Sequence, residues 1–225
     1  NWTVNDIVLG ETTESLSSEF FVREDRIRCT ATPNDGIEDG SPAVSDVVVI
    51  RNTSPTIDEV SVSPTEPTTT DTLTCTASGE ADGDGDAVSV TFYWLINDVL
   101  LEDPSTSLLP SAFEPGDVIT CEGRPSDGTL DGPALRSDSV QINIPPVIHS
   151  VTVSPSDATV EDMLTCNEGL LTDGDGDTVV TRIKWFVNDI DMGVDVPTMS
   201  GDRFIKGDEV HCEVTPNDCL LYTSD

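Results

Sequence analysis

The sequence predicts an all-β protein made of tandem β-sandwiches, one complete and two partial, and three observations predict it. The chain repeats itself: Trp2, Trp94 and Trp185 stand 92 and 91 residues apart, and each precedes a cysteine (Cys29, Cys121 or Cys212) by 27 residues. Within the repeat, short runs rich in Val, Ile, Thr and Leu alternate apolar with polar residues, which is the period of a half-buried strand. Clusters of Pro, Gly, Asp and Ser separate those runs, and no stretch carries a convincing helical period. A period of this kind means an array of similar modules, and such arrays commonly serve as spacers or binding surfaces.

Taken in order, residues 1–51 read as the C-terminal part of a repeat, 52–55 as a linker and 56–144 as a complete repeat. A linker at 145–147 and a repeat at 148–218 lacking its last strand follow. In the complete repeat, strands are expected near 57–63, 71–77, 87–96, 99–102, 106–110, 117–123 and 137–144, and seven strands in so short a segment make a sandwich. Val88, Val90, Phe92, Trp94 and Ile96 alternate onto one face, as do Leu73 with Cys75 and Ile119 with Cys121. Asn97-Asp98 reads as a tight hairpin turn, because both residues tolerate positive φ, and Asn5-Asp6 and Asn188-Asp189 repeat it. Phe21, Phe113 and Phe204 lie eight residues before the cysteines, and Asp25, Asp117 and Asp208 lie four before them. A Pro-containing turn follows four after, at Pro33, Pro125 and Pro216.

The cysteine spacing adds a covalent expectation. Cys75 to Cys121 and Cys166 to Cys212 are both 46 residues, which suggests one disulfide per repeat and an oxidising compartment. Cys29 is expected to pair with a residue upstream of Asn1, and the lack of an initiator Met fits a fragment of a longer array. Cys219 stands where the other copies carry Gly36 and Gly128. The segment 219–225, Cys-Leu-Leu-Tyr-Thr-Ser-Asp, resembles the translation of a transposase adapter used in sequencing libraries, and is expected to be non-native.

Ten Lys and Arg against 43 Asp and Glu give a net charge of −33, which argues against nucleic acid or an anionic membrane as partner and makes cations the natural counterpart. A solvated surface that keeps the protein soluble accounts for the same charge. With no 18-residue apolar run and no signal-peptide pattern, neither membrane insertion nor an export signal is expected within the chain.

Cysteine, tryptophan and cysteine on the second, third and sixth strands resemble the immunoglobulin fold, in which the indole packs on a bridge between sheets. Residues 1–218 resemble most closely the Cys-containing bacterial immunoglobulin-like repeats of long surface and secreted proteins. The resemblance rests on the linker Asn52-Thr53-Ser54-Pro55, on Ser63-Pro64 and Ser154-Pro155 after the first strand, on Asp-Gly-Asp loops and on the turn Thr32 to Gly36. It implies an exported, cell-surface or extracellular location and neighbouring repeats of the same chain as partners. It does not name a ligand, because a fold does not fix a function.

The sharpest motif is Asp82-Gly-Asp84-Gly-Asp86, repeated at Asp173, Asp175 and Asp177. Alternating carboxylates let one loop present several hard oxygens to a single Ca²⁺, and glycines permit the winding. The EF-hand pattern is not met, since its sixth position holds Ala87 or Thr178 and its twelfth Tyr93 or Lys184, so any shell needs ligands from elsewhere. The loop between the sixth and seventh strands, carrying Asp127 and Asp131, belongs at the same end of an immunoglobulin-like sandwich, as does the linker with Asp58 and Glu59. The expectation is therefore a Ca²⁺ site at the junction of repeats, weighed against an ordinary acidic loop in water. Asn1-Trp-Thr3 and Asn52-Thr-Ser54 match the glycosylation sequon, which matters only in a eukaryotic host.

Catalysis is not expected. His149 starts a strand, His211 lies beside Cys212 on the opposite face, neither is paired in sequence with a nucleophile, and no Cys-x-x-Cys offers a zinc site. Trp94 and Trp185 belong on buried faces, whereas Tyr93 and Phe186 fall on the other side, as exposed contacts or as edge packing. The reading is a non-catalytic structural or adhesive repeat of an exported bacterial protein, stapled by disulfides and stiffened by Ca²⁺. Accessory modules of a larger secreted enzyme, or modules that bind surface glycans or proteins, fit the same residues.

Overall fold

The computed structural model describes residues 1–218; the tail at 219–225 lies outside the described residues. Among these, regular structure is β-strand apart from three single 3₁₀ turns, Ser18–Phe20, Pro110–Ala112 and Gly201–Arg203. Each turn ends immediately before the repeated Phe21, Phe113 or Phe204, and the latter two are buried.

The strands of segment 56–144 form two antiparallel sheets with the topology of an immunoglobulin-like sandwich. One sheet has the order Ser107–Leu108, Leu73–Ser78, Glu59–Ser63, and the other Leu135–Arg136, Val118–Ser126, Ser89–Ile96, Val99–Leu100, with Val140–Gln141 also paired to Val118–Ser126. The expected strands are all present, with ends shifted by a few residues where Thr- and Asp-rich turns trim them.

Two compact units make up the chain. The first comprises Asn1–Ser61, Thr76–Tyr93 and Glu122–Ser137. Its N-terminal sheet has the order Ile7–Val8, Trp2–Val4, Arg26–Ala31, Ala43–Val44, and Val48–Val49 also pairs with Arg26–Ala31. Trp2 lies opposite Cys29, which carries no disulfide. Val4, Ile27, Ile57 and Val60 are buried, so alternation places one apolar face inward.

The second unit comprises Val62–Cys75, Trp94–Cys121 and the described residues from Asp138 onward. Both expected disulfides are formed, Cys75 to Cys121 and Cys166 to Cys212, with Cα atoms 6.2 and 6.1 Å apart. Trp94 and Trp185 are 1% and 0% exposed, as the alternation requires. Leu95 is equally buried, although alternation places it on the face opposite Trp94. Around Trp185 pack Leu164, Cys166, Ile183, Val187, Met199 and Phe204.

Buried indoles need a partner for their N–H. Trp2, Trp94 and Trp185 donate from Nε1 to the carbonyls of Thr13, Ser105 and Val196 at 2.9, 3.0 and 2.9 Å, each 11 residues downstream. The Asn-Asp pairs form the expected turns, with φ of 50° and 64° at Asn5 and Asp6, 51° and 65° at Asn97 and Asp98, and 49° and 63° at Asn188 and Asp189.

Candidate metal centre

Each Asp-Gly-Asp loop winds around its first carboxylate. Asp82 Oδ1 accepts from the backbone N–H of Asp84 at 2.8 Å and of Asp86 at 3.2 Å. Asp173 Oδ1 accepts from Asp175, Gly176 and Asp177 at 3.2, 2.9 and 3.1 Å. This short-range turning, a local competitor to sheet pairing, draws each trio together. In Asp82, Asp84 and Asp86, as in Asp173, Asp175 and Asp177, one carboxylate oxygen per residue lies within 4.8 Å of the others. Among the described residues these are the two groups of His, Cys, Asp or Glu so placed.

Each loop also grips the chain that leads into its repeat, at the linker or just before it. Asp84 Oδ2 accepts from the backbone N–H of Thr53 at 2.7 Å and from its hydroxyl at 2.8 Å. Asp175 Oδ2 accepts from the backbone N–H of Ile144 at 2.9 Å, the same bond without the hydroxyl. The loop glycine makes this approach possible: a Cβ on Gly83 would sit 2.8 Å from Thr53 Oγ1, and one on Gly174 2.7 Å from Ile144 Cγ2.

A second bond accompanies the first. Asn52 Nδ2 donates to Asp127 Oδ2 at 2.7 Å, and Asn143 Nδ2 donates to Asp218 Oδ2 at 2.8 Å, both across 75 residues. Asp127 is therefore tied to the linker and stands outside the trio of the first loop, while Asp131 bridges Ser126 across its own turn. The linker residues that reach the loop are Asn52 and Thr53; Asp58 instead pairs its N–H with Ser78 O at the start of a strand.

The two loops differ in what faces them. At the first, Arg23 forms an ion pair with Asp86 and donates to Asn52 Oδ1 at 2.5 Å. The N–H and hydroxyl of Thr53 hold the Asp84 carboxyl below the ordinary carboxylate range, with help from the Arg23 charge. At the second, burial and the neighbouring Asp173 carboxylate push Asp175 up, while Asp173 is lowered. Asp82 Oδ2, Asn143 Oδ1 and Asp173 Oδ2 are buried without a hydrogen-bond partner. Such atoms carry a desolvation cost that a cation can offset, so both loops fit a hard ion in donor chemistry.

Arg23, Asn143 and Asp218 escape a reading of the sequence that looks for acidic motifs alone. The signal for the last two is the 75-residue separation of Asn and Asp, present twice in the chain. Asn52 also opens a sequon, but its carboxamide is engaged on both sides, by Arg23 and Asp127.

The remaining candidates have structural partners. His149 Nε2 lies 3.0 Å from Thr172 Oγ1. His211 stacks on Phe186, its cross-strand neighbour, with ring centroids 5.0 Å apart, and so is half-buried where alternation suggested an outward residue. The Arg124 guanidinium lies 4.3 Å above the Tyr93 ring. Tyr93 and Phe186 are thus covered from the neighbouring strand, which decides between the two placements in favour of packing.

No family model matches the chain. No curated protein matches it either. Among solved structures it is similar to the crystal structure of the chicken CNTN1 FN1-FN3 domains, with 12% identity, 86% of this chain and 72% of that one covered, and a TM-score of 0.31.

Proposed function

We propose that the chain is a non-catalytic structural or adhesive segment of an exported bacterial protein, in which immunoglobulin-like repeats are stapled by disulfides and stiffened by Ca²⁺ where one repeat joins the next. Repeats at 1–51, 56–144 and 148–218 with linkers at 52–55 and 145–147 suit this role. One observation carries the reading: Asp84 and Asp175 each bind the backbone of the chain leading into their repeat, at Thr53 of the linker and at Ile144 just before the linker. A cation drawn to either trio would thereby fix linker geometry as well as loop geometry.

The disulfides support an oxidising, extracellular setting. The covered state of Tyr93 and Phe186 weighs against a glycan platform of paired aromatics at this strand.

The test is thermal unfolding of the full chain under oxidising conditions, in excess Ca²⁺ and in chelator, beside an Asp84→Ala, Asp175→Ala variant. A midpoint raised by Ca²⁺ in the wild type and not in the variant is expected, by mass action on the folded state. Coincident curves would remove Ca²⁺ from the account and leave an acidic spacer held by disulfides.

A further inference from the structure

The two acidic loops are built alike, yet among the described residues an ion pair with a positive side chain forms only at the first. There the guanidinium of Arg23 bridges Asp86 and Asn52 Oδ1. The repeat puts Pro115 at the position equivalent to Arg23 beside the second loop, because Phe113 and Phe21 align, as do Asp117 and Asp25. Proline has no charge to offer.

The consequence is visible in the second loop. Asn143 is 5% exposed, and its Oδ1, the counterpart of the atom that Arg23 binds on Asn52, is buried without a partner. Its other side-chain atom is fixed, since Nδ2 donates to Asp218, so the amide cannot turn to satisfy Oδ1 without losing that bond. Asp173 Oδ2 is likewise unpartnered. Asn143 lines an open cleft of about 230 Å³ with Glu66, Gln141, Asp175 and Asp177. All five carry side-chain oxygens, and a cleft of hard oxygens with an orphaned amide oxygen is what a divalent cation with six to eight ligands requires. The first loop also leaves Asp82 Oδ2 unpartnered, but its Asp86 and its linker amide are already taken by the guanidinium.

We propose that the cleft lined by Asn143, Asp175 and Asp177, together with Asp173 of the same loop, is a divalent-cation site of the Ca²⁺ class, and that Arg23 is the built-in replacement for that cation at the first loop. This rests on the reading of Ca²⁺-stiffened joins and divides it: one join responds to metal and the other does not. Asn143 supplies its Oδ1 as a neutral ligand, and Glu66 lies within the cleft to complete the shell.

The test is calorimetric titration of the full chain with CaCl₂ at fixed ionic strength. Wild type is expected to bind one ion. Asp177→Asn, at an exposed position, should weaken binding by at least about tenfold, and Asn143→Ala should do the same. Because Asn143→Ala also removes a buried hydrogen bond, its fold is checked by circular dichroism, and Asp177→Asn carries the test alone if that variant unfolds. Arg23→Ala frees the first loop and should raise the stoichiometry to two. Two ions bound by wild type, or one ion unaffected by Asp177→Asn, would overturn the assignment while leaving Ca²⁺-stiffened joins intact. No binding by any form would overturn both.

Discussion

Asn97 Nδ2 donates to Asp117 Oδ1 at 2.8 Å while its own Oδ1 accepts from Val118 N–H at 3.0 Å, so one side chain locks a hairpin turn to the start of a strand 20 residues later. Asn5 with Asp25 and Asn188 with Asp208 repeat the bond at 2.6 and 2.8 Å. Asn97→Gly keeps the positive φ and loses both hydrogen bonds; Asn97→Ala loses the bonds and strains the backbone as well. The glycine variant should cost about 1–2 kcal/mol and the alanine variant about 1 kcal/mol more. Urea unfolding of both variants checks the order, and equal costs would show that backbone strain contributes nothing here.

Glu122 is buried between Arg124, whose Nε donates to it at 2.8 Å, and Arg136, at 2.9 Å. The Arg136 hydrogen bond holds its carboxyl below the ordinary range, with Arg124 assisting against burial. A lowered folded-state value means that the contribution to stability is present above the unfolded value, about 4.3, and is lost as pH falls through the folded one. Because both arginines are about half exposed, Glu122→Gln should cost only about 1 kcal/mol at pH 7. The difference between variant and wild-type midpoints should shrink as pH falls below the unfolded value, and a gap that does not change with pH would mean that packing, not charge, is lost.

The Cys75–Cys121 bridge closes a loop of 46 residues. Limiting the unfolded chain over that length corresponds to about 4 kcal/mol. Cys75→Ala, Cys121→Ala should therefore lower the denaturant midpoint of the chain sharply, with a similar loss at Cys166 and Cys212. Comparison with the reduced wild type separates the bridge from the packing of the sulfurs.

Trp94→Phe fills most of the same space but leaves the Ser105 carbonyl without its donor. The expected loss is about 2–3 kcal/mol, from the missing hydrogen bond and the void beside it. Trp2→Phe, at a half-buried position, should cost less, and chemical denaturation of the two variants provides the comparison.

Most of the strand plan was legible because this fold repeats local rules: alternation located Leu73, Cys75, Ile119, Cys121 and Trp94 in the core, and Asn-Asp fixed the hairpins. The two aspartate-glycine loops were legible as charge. Leu95 was not, since alternation describes one face and says nothing of what covers the other. Nor were Arg23 and Asn143, whose importance arises from contacts with residues 63 and 75 positions away. Those contacts require knowing which loop meets which linker, and no local period records that.

Pulled by its two ends, a folded segment normally lengthens by nearly its full contour once it gives way. Here the 46-residue separation between Cys75 and Cys121 stays closed by a covalent bond, as does that between Cys166 and Cys212. At about 3.5 Å per residue, each bridge withholds about 160 Å of extension. A chain carrying such bridges lengthens in short steps when overloaded, until a reductant reaches the sulfurs.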